Sequence, residues 1–192
     1  ALLWNPARTA CLMYGVHGHT WVALGEPIGP SSEAEGLVAQ FLERCDDYGG
    51  LPVVYQASKD WLHVFTDYGL TFVTLGEDAR VFLPHFAIDG SGHRATRTTV
   101  AHLGRLGVHM RVEMPPKVEP LLPALAGVSD AWLAERGGVE EGFAVSRFDP
   151  RYNAFCPVVV ATRAGTVEAF ATLWSLPGRH TLAVDMVRQR PS

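Results

Sequence analysis

Two short runs, Cys11-Leu-Met-Tyr-Gly15 and Trp21-Val-Ala-Leu-Gly25, concentrate apolar and aromatic residues on either side of a His17-Gly18-His19 turn. They predict the first strands. The spacing then becomes helical. Leu37, Val38, Phe41, Leu42 and Cys45 share one face, Ser32 and Glu35 stand as a capping box, and Gly49-Gly50 is the stop. Residues 51–56 predict another strand. Ser58 is placed to cap a short helix bearing Trp61, Leu62 and Phe65, which ends at Gly69. Residues 70–75 and 80–83 predict two further strands around a Gly76-Glu77-Asp78 turn.

The small polar stretch Asp89-Gly-Ser-Gly-His93 is the best boundary, because the pattern restarts after it. It divides the chain into units 1–89 and 90–192. A helix carrying Val100, Leu103 and Leu106 stops at Gly107, and residues 108–114 alternate as a strand until Pro115-Pro116. Apolar positions 121, 122, 125 and 128 lead to Ser129-Asp130, which reads as the cap of a helix bearing Trp132 and Leu133 and ending at Gly137-Gly138. Residues 142–148, 156–162 and 166–174 predict three strands, the last two joined by the hairpin turn Arg163-Ala-Gly165. Helices followed by a run of antiparallel strands give an α+β class.

The last strand, residues 180–188, carries an acid and a base inside an apolar run. Leu182, Val184 and Met186 fall on one face, and Ala183, Asp185 and Val187 on the other. Both faces are apolar, as in a strand covered on both sides. A carboxylate there is paired or functional, since burying it alone costs several kcal/mol or forces its protonation. Arg188 is the obvious partner, yet an odd separation puts it on the opposite face of a regular strand. Either the strand ends or bulges between the two, or each serves a different partner.

Composition narrows the classes. The 192 residues suffice for a real core in one or two domains. Sixteen Lys and Arg against 20 Asp and Glu, with no basic tract, do not describe a stable nucleic-acid binder, although brief use of an RNA-borne substrate stays open. Cys11, Cys45 and Cys156 are odd in number and far apart, so they read as reduced core thiols. His17 and His19 share a face without a third ligand nearby, so no metal is expected, and no cofactor motif stands out. His93, His102 and His109 lack ligand spacing and read as solvated surface. No run of about 18 apolar residues spans a bilayer, and residues 1–6 lack the layout of a signal peptide. The absent initiator Met and the stop just after Arg188 suggest a piece of a longer domain.

Six strings together resemble the soluble catalytic domain of the aminoacyl-phosphatidylglycerol synthases, the lysyl- and alanyl-phosphatidylglycerol synthases. They are Trp21-Val-Ala-Leu-Gly-Glu-Pro-Ile-Gly29, Pro52-Val-Val-Tyr-Gln56, Leu75-Gly-Glu-Asp-Ala79, Val128-Ser-Asp-Ala-Trp-Leu133, Gly142-Phe-Ala-Val-Ser-Arg-Phe-Asp149 and Val184-Asp-Met-Val-Arg188. Each is weak alone, but they occur in the family's order across almost the whole chain. Glu26 departs from the family's usual Asp, keeping the charge on a longer arm.

The resemblance implies tandem GNAT-like acyltransferase units, with mixed but mostly antiparallel sheets flanked by helices and the second unit incomplete. It implies transfer of an aminoacyl group from aminoacyl-tRNA to phosphatidylglycerol at the cytoplasmic side of a bacterial membrane. The lipid becomes more cationic, which connects to resistance against antimicrobial peptides. Asp185 and Arg188 match the family's Asp-x-x-Arg and become the candidate catalytic residues. Tyr152, in a Phe-Asp-x-x-Tyr string, becomes a substrate contact or else a core or hairpin aromatic, while Asp149 before Pro150 reads as a turn former. A GNAT-like transferase using another acyl donor, such as coenzyme A, and a non-catalytic lipid- or protein-binding fragment are the alternatives. An incomplete second unit would also leave a sheet edge near Asp185 exposed, inviting a homo-oligomer by strand pairing.

Overall fold

The computed structural model describes the chain except for residues 139, 141, 144–146, 176–180 and 192. It is an α+β protein of two compact units, Ala1–Ala79 and Arg80–Ser192.

In the first unit β1 (Leu2–Trp4), β2 (Cys11–His17), β3 (Thr20–Leu24) and β4 (Leu51–Tyr55) form one sheet in that order. The first three are antiparallel, while β3 and β4 run parallel. A parallel pair needs a crossover, and α1 (Ser31–Asp47) supplies it. Leu37, Phe41 and Cys45 of α1 pack against Leu3, Leu12, Tyr14 and Ala23 of the sheet. Val38 turns instead to Val64 and Phe65 of α2 (Leu62–Asp67).

Both expected caps in this unit are made differently. Pro30 precedes α1 and Ser32 lies inside its first turn, so the capping box is absent. Glu33 does the tethering, accepting from Asn5 Nδ2 at 2.5 Å and from the Thr9 hydroxyl, which ties the β1–β2 loop to the helix start. Ser58 precedes a short 3₁₀ turn without capping it through its side chain. Its N–H instead donates to Glu26 Oε2 at 3.2 Å, so the long arm at position 26 satisfies the turn that opens α2.

The strands expected at 70–75 and 80–83 do not form. Val73 and Leu75 are each 78% exposed, and no strand lies alongside these segments among the described residues. Strand propensity measures fit to a paired, half-buried surface, and Val73 and Leu75 have neither pairing nor cover among the described residues.

The second unit contains α3 (Arg94–Arg105), β5 (Val108–Glu113), α4 (Leu122–Glu135), α5 (Pro150–Asn153), β6 (Val158–Arg163), β7 (Thr166–Ser175) and β8 (Leu182–Gln189). Its sheet is antiparallel throughout, in the order β5-β6-β7-β8. The β6–β7 hairpin turns on Ala164 (φ 48°) and Gly165 (φ 81°), the left-handed pair that a two-residue turn demands. α4 covers β7 and β8, enclosing Leu125, Val128, Val158, Val160, Phe170 and Met186.

α4 starts a full two turns before the predicted cap. Pro123 is tolerated in its first turn, where the N–H is unpaired anyway. Ser129 is therefore mid-helix and 1% exposed, and caps nothing. Of the strand expected at 142–148, residues 144–146 lie outside the described residues, as does His180 at the start of the last predicted strand.

Candidate active site

β8 carries the predicted acid and base, and a bulge decides where they point. Ala171 faces Val187 and Leu173 faces Val184, so Thr172 alone stands opposite both Asp185 and Met186. The extra residue on β8 cancels the odd separation noted in the sequence. Asp185 is carried to the side of Met186 and Arg188, which Thr172 and Phe170 share on β7 and α4 covers.

The bulge is pinned by one hydroxyl. Thr172 Oγ1 donates to Asp185 Oδ2 at 3.3 Å and accepts from the Met186 N–H at 3.1 Å. Thr172 is fully buried and Asp185 half-buried.

Arg188 is only 7% exposed. Its Nη2 donates to Glu140 Oε1 at 3.0 Å, and the same oxygen accepts from the Phe148 N–H at 2.9 Å. The guanidinium carbon sits over the Trp132 ring, 3.7 Å from its centre, a cation–π contact. Arg136 approaches the same indole at 4.1 Å. Arg188 Nε is buried with no hydrogen-bond partner among the described residues, and so is Ser129 Oγ.

Tyr152 lies within the electrostatic reach of Asp185. Although the residue is 43% exposed, its hydroxyl is pushed up to about 12, first by partial burial, then by Cys156 and by the Asp185 charge, while a hydrogen bond with the Trp174 side chain acts in the opposite direction. At neutral pH the phenol is thus firmly a proton carrier. Burial and Asp185 also raise the Cys156 thiol, although its bond with Tyr152 works the other way. Tyr152 is placed by α5, whose start is capped by Asp149: its Oδ1 accepts from the Arg151 N–H at 2.9 Å. That backbone bond, followed by the Arg151 side chain, lowers the Asp149 carboxyl.

The three residues singled out in the sequence thus fall into two adjoining groups along β8. One is Asp185 with Thr172, with Tyr152 within electrostatic reach, and the other is Arg188 with Trp132 and Glu140. The sequence did not point to Thr172, Trp132 or Glu140 as site residues. Trp132 stood in a family-like string but read as a helix residue, and nothing local marks Glu140. Among the described residues no three metal-ligating side chains gather, and no helix is long and apolar enough to cross a membrane.

This arrangement is found on a chain with clear relatives. The family model described as phosphatidylglycerol lysyltransferase, C-terminal, matches residues 1–192. The phosphatidylglycerol lysyltransferase of Staphylococcus xylosus is 31% identical over 185 residues, which is 96% of this chain and 22% of that protein. The phosphatidylglycerol lysyltransferase of Staphylococcus haemolyticus is 30% identical and is likewise spanned over 22% of its length. Among solved structures, a C-terminal domain from Agrobacterium fabrum assigned to a lysylphosphatidylglycerol synthetase superposes with TM-score 0.92 at 30% identity, over 99% of this chain and 60% of that one. L-PGS from Bacillus licheniformis superposes with TM-score 0.88 at 27% identity, over 98% of this chain and 60% of that one.

Proposed function

The chain belongs to the family of phosphatidylglycerol lysyltransferase C-terminal domains, and from that membership we propose that it serves the transfer of an aminoacyl group from aminoacyl-tRNA to phosphatidylglycerol. The two units are read as tandem GNAT-like folds working at the cytoplasmic face of the membrane. The more cationic lipid would weaken attraction of antimicrobial peptides.

The bulge that turns Asp185 and Arg188 to one side of β8 supports this reading most directly. In the reaction a glycerol hydroxyl oxygen attacks the ester carbonyl, the new ester C–O bond forms, and the bond to the tRNA ribose oxygen breaks. The proton leaves the glycerol hydroxyl and ends on that ribose oxygen. Asp185 orients or accepts the hydroxyl proton. Arg188 binds a phosphate oxygen and Tyr152 contacts the substrate beside Asp185.

The test is transfer of radiolabelled amino acid from charged tRNA to phosphatidylglycerol vesicles by the full-length protein that carries these residues. Labelled lipid with lysine, alanine or arginine is the expected result. No labelled lipid with any of the three sinks the proposal, and labelling from an aminoacyl-coenzyme A instead replaces the donor.

A further inference from the structure

A guanidinium offers two faces and five N–H donors in one plane. In Arg188 one face lies on Trp132 and Nη2 is taken by Glu140. A bidentate ion pair would set the fork of Nε and Nη2 against both carboxylate oxygens. Glu140 does not do this. Its Oε1 is shared between Arg188 and the Phe148 N–H, while Arg188 Nε is left buried and unmatched among the described residues. An unmade bond at a buried charged donor is costly, so such a donor calls for a partner, either water or a ligand.

Two more observations point the same way. Ser129 Oγ, like Asn153 Nδ2, is also buried without a partner among the described residues, and it stands one turn before Trp132 on α4. Ser129 and Trp132 are three residues apart and so neighbours on one side of α4. In addition, Arg136 and Arg188 bring two guanidiniums to one indole, and Glu140 pairs with Arg188. A guanidinium held this way favours an anionic oxygen at any donor it keeps free.

We propose that Trp132 and Glu140 are positioning residues that lock the Arg188 guanidinium with its Nε edge turned to a phosphodiester oxygen of the substrate, with Ser129 as the second donor. This rests on the reading of Arg188 as an anion-binding residue. The phosphodiester comes from the lipid head group or from the end of the RNA, and the same chemistry serves either.

The experiment follows the Arg188 Nε–H resonance in chain labelled with ¹⁵N-arginine, identified by its loss in Arg188→Lys. In the wild type it is expected to be shifted by the indole ring current and slow to exchange with water. Trp132→Phe should keep this signature. Trp132→Leu and Glu140→Ala should lose it, and Glu140→Gln, which has nearly the same shape, should keep part of it. Addition of glycerophosphoglycerol or of a short single-stranded RNA should move the resonance, and whichever does so identifies the source. Binding of that probe should weaken about tenfold in Trp132→Leu and severalfold in Ser129→Ala. A wild-type resonance that exchanges as fast as exposed arginines overturns the lock. A protected resonance that neither probe moves leaves the lock standing and overturns the anion-binding reading of Arg188.

Discussion

Thr172 Oγ1 donates to Asp185 Oδ2 at 3.3 Å, and the same oxygen accepts the Met186 N–H at 3.1 Å. One buried hydroxyl therefore fixes both the bulge and the carboxylate that the bulge re-aims. Thr172→Val keeps the shape but leaves the Met186 N–H without this acceptor. It is expected to cost about 1–3 kcal/mol of stability. Thr172→Ser keeps the hydroxyl and loses one methyl, so it should be closer to wild type. Urea denaturation midpoints of the two variants make the comparison, and equal losses would show that packing rather than the hydroxyl matters here.

The transfer reaction gives a second expectation. Asp185→Asn keeps the size of the side chain and loses the charge, and should lower lipid aminoacylation by about tenfold or more, equivalent to at least 1.4 kcal/mol of transition-state stabilisation. Arg188→Ala should do the same, but it also strands Glu140, so a loss of folding could mimic the effect. Arg188→Lys separates the two. It keeps the charge while losing the planar guanidinium that lies over Trp132, and should lose most of the activity with a smaller loss of stability. Wild-type rates in Asp185→Asn and Arg188→Lys would demote both residues to structure.

How much of this was legible beforehand follows from distance along the chain. The face of α1 is a local property, and Leu37, Val38, Phe41 and Cys45 are all buried as their spacing predicts. The hairpin at 163–165 is equally local. The strand carrying Asp185 and Arg188 was readable, together with its conflict of faces. Its resolution was not, because Thr172 meets Asp185 only through cross-strand register. Glu140 reaches Arg188 across 48 residues, and no local pattern encodes such a pairing. The expected strands at 70–75 and 80–83 failed for the converse reason: local propensity was present, and the neighbouring strand was not. The Ser129 cap failed because Pro123 permits a helix start that a breaker-based reading places later.

Ala164 offers a test of the hairpin. It holds φ 48°, a left-handed conformation that a Cβ disfavours, and Gly165 follows it at φ 81°. Asn tolerates the first position and Asn-Gly is the preferred pair for this turn. Ala164→Asn should therefore stabilise the chain by up to about 1 kcal/mol. A raised urea midpoint with an unchanged slope is the expected observation. A lowered midpoint would mean that the turn is held by contacts other than its own backbone preference.

Tyr152 reports on Asp185 through its titration. Its phenol is pushed from 10.0 up to about 12, with burial the largest cause, followed by Cys156 and the Asp185 charge. A phenol raised in the folded state keeps its proton where the unfolded chain has begun to lose it. The stability this contributes is fully present below pH 10 and is lost as pH rises from there through about 12. Tyr152→Phe cannot titrate, so the alkaline decline in urea midpoint across that window should flatten. Asp185→Asn removes one of the charges that oppose tyrosinate, and should move the Tyr152 absorbance transition to lower pH without restoring the ordinary value, because burial remains. If the transition does not move in Asp185→Asn, the two side chains are not electrostatic neighbours and Tyr152 loses its place beside the carboxylate.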